Sequence, residues 1–194
     1  MILIIILFPL GLGPIQEKLN IVSNAVIWVG LILAIIPSLE KILQKDFENG
    51  WLDQIATSPI PLEIVMLSKG ISYWLIILIP LIITSPIFAI LLDMDLKNIP
   101  WLVISISAGS LAISLIGLSG SALILGARRG NILLPILIIP LMTPILIFGV
   151  GVNEAIRINA SPYGNLFLLL ALTLVYLVIS PFISALLVRI AIGR

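Results

Sequence analysis

Charged residues divide the chain into long apolar runs. Leu19–Leu39, Gly70–Leu92, Asn98–Ala127, Gly130–Asn153 and Ile158–Val188 contain no Asp, Glu, Lys or Arg, and each has at least 21 residues. At 1.5 Å per residue, a run of that length crosses a hydrocarbon core about 30 Å thick. Lipid offers backbone N–H and C=O groups no partner outside their own segment, so the runs are expected to be helices. A shorter apolar segment, Met1–Gly13, is broken by Pro9, Gly11 and Gly13. It has neither the basic start nor the small-residue cleavage site of a signal peptide. It reads as the distal part of a first helix whose beginning lies upstream or is lost. The expectation is an all-α integral membrane protein, one domain over 1–194, with about six transmembrane helices at roughly 1–15, 19–39, 70–92, 99–126, 131–152 and 163–188.

One polar stretch is both long and patterned. Across 40–69, Leu39, Ile42, Leu43 and Phe47 fall on one helical stripe, while Glu40, Lys41, Gln44, Lys45 and Glu48 occupy the other face. Asn49 and Gly50 supply a stop. Trp51, Leu52 and Ile55 then predict a second short amphipathic turn, ended by Ser58, Pro59 and Pro61. Two readings fit, a docking element for a soluble motor and a pair of helices lying on the lipid surface. Five acids against three bases across this loop make it a poor partner for anionic lipid and favour docking.

Composition narrows the function. Hydrophobic residues make up 61% of the chain and charged ones 10%, too few charges to cover a soluble domain. A net charge of +1 gives no field for nucleic acid. With no Cys and no His, thiol chemistry, the commonest metal ligands and the usual proton shuttle are all missing. Spanning runs without a carboxylate or His disfavour an ion-coupled secondary carrier. The chain has no G-x-x-x-x-G-K-[ST] loop either, so energy is expected from an ATPase outside it.

Orientation follows from the basic residues. Lys41, Lys45, Lys69, Arg128, Arg129, Arg189 and Arg194 lie on one side, and Lys18, Lys97 and Arg157 on the other. The positive-inside rule makes the first side cytoplasmic, or matrix in a mitochondrion, with both termini there. Arg128, Arg129 and Gly130 form a tight turn on that side. The fourth segment is rich in small residues, with Ser110/Ser114 and Gly117/Ser121 at close-packing spacing. In the last, Thr173, Tyr176, Ser180 and Ser184 make a polar stripe that faces either a neighbouring helix or a lateral substrate path. Packing is the favoured reading of both.

Several stretches together resemble a known family. They are Phe8–Pro14, the loop from Glu40 through Asp46 with Gly50, Asp53, Gln54, Ser58–Pro61 and Lys69, and the segment Leu125–Gly149. The chain is similar to the heme exporter protein B family, permeases of the ABC transporter in cytochrome c maturation. The resemblance runs along nearly the whole chain. It implies an ABC-2-type architecture of six helices with a cytoplasmic coupling loop after the second. It also implies a bacterial inner membrane, or a mitochondrial one.

The partners so implied are an ATP-binding subunit, a heme-handling membrane protein, a small membrane subunit and a heme chaperone, with a homodimer also compatible. Such complexes are described as exporting heme and as releasing a heme-loaded chaperone. Generic export of lipid, polysaccharide or drug, and a non-transporting scaffold, are the competing readings. The charged amphipathic segment that the family carries ahead of its first helix is not in this sequence.

On this reading Glu40, Asp46, Gly50, Trp51, Leu52, Asp53, Gln54, Ile55, Pro59 and Pro61 dock the ATPase. Trp51, Leu52 and Ile55 enter its cleft, with Glu40, Asp46 and Asp53 at the rim. The chain itself is expected to hold no cofactor, leaving ATP and heme to partners. Its candidate axial ligands would be Met66 in the cytoplasmic loop, Met94 in a short external one, Met142 and Tyr176, with no basic residue near the last two to pair heme propionates.

Overall fold

The computed structural model describes residues 6–8, 10–11, 16–125 and 130–193. Among them the chain is helical with no strand. Helix α1 spans Gln16–Leu39, α2 Lys41–Glu48, α3 Trp51–Ala56, α4 Leu62–Leu91, α5 Ile99–Leu123, α6 Gly130–Arg157 and α7 Tyr163–Ile192. Five helices are long and apolar enough to cross a membrane, namely α1, α4, α5, α6 and α7. Of the expected first segment, 1–15, residues 6–8 and 10–11 are helical and exposed, and the rest lies outside the described residues.

Helix α4 starts at Leu62, where the charge pattern places a loop up to Lys69. Pro61 at its N-cap position, with φ −57° and ψ 125°, opens the helix. The charges inside its first turns have partners, as described below. Further along, Trp74–Leu78 widens into a π turn. Pro80 lacks the N–H that the Ile76 carbonyl would receive from four residues on. The backbone responds with a wider step, the Ile79 N–H bonding the Trp74 carbonyl.

Helix α5 is the most enclosed of the five, and its small residues explain why. A Cβ on Gly117 would overlap the Leu39 side chain, and one on Gly120 would overlap Ile138, so α1 and α6 reach the α5 backbone directly. The Trp28 indole, fully buried, fills a slot made by Gly109 of α5 and Gly149 of α6. Around it Ile27, Leu31, Ile35, Leu102, Ile106 and Ile145 form the principal core. The outward faces are apolar in helical register: Ile83, Ile87 and Ile90 on α4, and Leu174, Val178, Phe182 and Leu186 on α7. A soluble bundle would carry charge there, so these are surfaces for lipid.

Candidate functional site

At one end of the bundle, α2 and α3 fold back beneath α4, α5 and α7. The turn between them depends on Gly50, whose φ of 70° lies in the left-handed region that glycine enters without strain. Helix α2 hangs from α5 by its backbone. Ser121 Oγ accepts from the Leu43 N–H at 3.3 Å and donates to the Glu40 carbonyl at 3.4 Å. Helix α3 is held by Leu52, 0% exposed, in a second apolar cluster with Met66, Leu118, Ala185 and Val188.

Lys69 of α4 ties both short helices at once. Its ammonium lies 2.7 Å from Asp46 Oδ2 and 4.6 Å from the centre of the Trp51 ring. Both groups of the ion pair are mostly shielded, so the contact is less screened than an open surface bridge. Arg189, in the last turn of α7, donates to Glu63 Oε1 at 2.9 Å and joins α7 to the first turn of α4. Helices α2 and α3 are therefore in contact with α4, α5 and α7 together.

The expected docking residues differ in exposure. Asp53, Gln54, Pro59 and Pro61 are exposed; Glu40, Trp51 and Ile55 are half-buried; Asp46 is committed to Lys69. Leu52, expected in the docking set, is fully buried in the chain's own core. Arg128 and Arg129 lie outside the described residues, and Gly130 is the first residue of α6. The sequence reading missed Ile60 and Ile64, bulky apolar side chains 51% and 57% exposed beside the Asp53–Pro61 edge. The signal was present in Ile60, an isoleucine flanked by two prolines and thus kept from packing on a helix.

Thr173, Ser180 and Ser184 of the α7 stripe pack against α5, while Tyr176 turns to α6 and the cavity beside it. Thr173 donates to the Ala108 carbonyl at 2.7 Å and Ser180 to the Leu115 carbonyl at 2.6 Å, while Ser119 meets Ser180 at 2.8 Å and Ser184 at 3.1 Å. Between α5, α6 and α7 lies a cavity of about 320 Å³, lined by Leu123, Leu137, Leu141 and Ile183 with Tyr176 and Ser180. Among the described residues no basic side chain lines it.

The family model for CcmB protein matches residues 1–191. The chain belongs to the CcmB protein family. Heme exporter protein B of Paracoccus denitrificans is 39% identical over 184 residues, covering 95% of this chain and 84% of its own length. The Pseudomonas aeruginosa protein of the same name is 38% identical over 192 residues, 99% of this chain and 86% of that one. Heme exporter protein B of Haemophilus influenzae is 38% identical over 194 residues, 100% of this chain and 87% of that one. In this CcmB-family chain Met66, Met94 and Met142 are all buried. Met66 sits inside α4 rather than in a loop, which differs from the position the sequence suggested, whereas Met94 lies in the short α4–α5 connection as expected, with its side chain turned inward.

Proposed function

We propose that this chain is the membrane subunit of an ATP-driven heme-export complex. The observation that carries the reading is the α2–α3 pair, whose inner face is locked to three membrane helices and whose outer edge is left acidic and apolar. That edge, Asp53, Gln54, Pro59, Ile60 and Pro61 with Ile64, is offered to an ATP-binding subunit on the cytoplasmic or matrix side. The relatives are named for heme export, which favours that cargo over lipid, polysaccharide or drug and over a pure scaffold. Met66, Met94 and Met142 are packed away from any ligand, and among the described residues the membrane cavity has no cation for propionates, which supports heme ligation by a partner membrane protein. On this reading the heme-handling protein, the small membrane subunit and the heme chaperone receive movement that α2 and α3 pass to the bundle.

The test is co-purification with the ATP-binding subunit of the same complex. Ile60→Asp places a charge in the exposed edge without touching the chain's own core. An apolar anchor at an interface contributes about 2 kcal/mol, roughly thirtyfold in affinity. The variant is expected to insert normally and lose the ATPase; undiminished co-purification sinks the docking assignment.

A further inference from the structure

Three asparagine side chains are buried where α1, the start of α5 and the end of α6 meet, at the end of the bundle opposite α2 and α3. Asn24, Asn98 and Asn153 are 8%, 6% and 4% exposed. A carboxamide withdrawn from water this far needs partners for both of its atoms. The orientation of two of the amides follows from a fixed acceptor. The Val150 carbonyl can only accept, so Asn24 turns Nδ2 toward it, at 2.8 Å. Asn24 Oδ1 then faces Asn153, which must present its own Nδ2, at 3.2 Å. Asn153 Oδ1 is thereby fixed as an acceptor, and among the described residues nothing donates to it. Asn98 Oδ1 also has no hydrogen-bond partner among the described residues.

Both residues line one small cavity with about 20 Å³ of free volume, room for a single water-sized group. Glu154 and Arg157 are also in its wall, each nearly half exposed, and they mark its opening to the outside. Arg157 Nε donates to Glu154 Oε2 at 2.9 Å, so this pair brings no net charge. What fits is compact, carries at least two N–H or O–H donors, and arrives at the surface level of the bilayer. A primary ammonium meets all three conditions, and charge-assisted hydrogen bonds to the two oxygens would be stronger than those of water. Beside it, the Arg157 guanidinium retains donors for a phosphate.

We propose that this cavity binds the headgroup of an ethanolamine phospholipid, ammonium on Asn98 Oδ1 and Asn153 Oδ1, phosphate toward Arg157. Choline is excluded by the same chemistry, since its trimethylammonium has no N–H and exceeds the space. The site ties α1, α5 and α6 together at the face remote from the ATPase, and it stands independently of the heme-export reading.

The experiment is native mass spectrometry of the full chain extracted from vesicles of equal phosphatidylethanolamine and phosphatidylcholine. The wild type is expected to retain phosphatidylethanolamine by about tenfold over phosphatidylcholine, the scale of one charge-assisted hydrogen bond. Asn98→Leu should abolish the preference. Asn98→Asp, which keeps an acceptor of the same shape, should preserve or raise it and shows that the loss is not misfolding. Equal retention of the two lipids by the wild type overturns the proposal. So does a preference unchanged in Asn98→Leu, or a map from phosphatidylethanolamine discs with only a water between the two oxygens.

Discussion

Lys69 shows how much one side chain can hold here. It joins α4 to α2 through Asp46 and to α3 through Trp51, in a setting shielded enough for each contact to matter. A partly shielded ion pair and a cation–π contact are each worth about 0.5–1 kcal/mol. Lys69→Met should therefore lower stability by about 1 kcal/mol. A double-mutant cycle with Asp46→Asn, read by thermal unfolding in detergent, should return a coupling of about 0.5 kcal/mol or more. Additive single effects would show that the pair carries nothing. In the sequence Lys69 was only the charge that closes a loop. Its partners lie in separate elements, and the fold alone brings them to it. The burial of Leu52 was hidden for the complementary reason. An amphipathic turn tells which residues share a face, but not whether that face meets a partner or the chain's own core.

At the scale of elements, spans were legible and their ends were not. Uncharged runs of more than 20 residues admit few alternatives to a crossing helix. Counting charges misplaced the start of α4, because Glu63 and Lys69 are carried on the helix and matched by Arg189 and Asp46. The small residues of α5 were read correctly as packing, and their cost can be measured by contrast. Gly117→Ala adds a Cβ that overlaps Leu39, so overpacking should destabilise by about 1–3 kcal/mol. Gly164, in the first turn of α7, has nothing within 4 Å of an added Cβ. Gly164→Ala should instead be neutral or stabilising by up to about 1 kcal/mol, through helix propensity alone. Thermal unfolding of the two variants side by side decides the matter, and equal effects would mean that α1 does not seat on α5 at Gly117.

For the whole molecule the remaining question is which end faces the cytoplasm or matrix. The bundle has two dissimilar ends. One carries α2, α3, the Lys69 clamp and the α7 terminus with Arg189; the other carries the asparagine cavity, Arg157 and the edge-to-face pair of Trp101 and Tyr163 at 5.7 Å. Aromatic pairs of this kind suit the level of the lipid headgroups on either side, so they do not choose between them. The bias in Lys and Arg predicts that the α2–α3 end is the cytoplasmic or matrix one, because translocating a short basic loop is opposed while an acidic one passes more freely. The absence of native cysteine makes the assignment directly measurable. Glu48 and Ala160 are both exposed and stand at opposite ends of the bundle. In intact cells, a membrane-impermeant maleimide should label Ala160→Cys at once and Glu48→Cys only after permeabilisation. The reverse pattern would turn the bundle over. It would also remove the α2–α3 edge from reach of any cytoplasmic ATPase, and the docking proposal would fall with it.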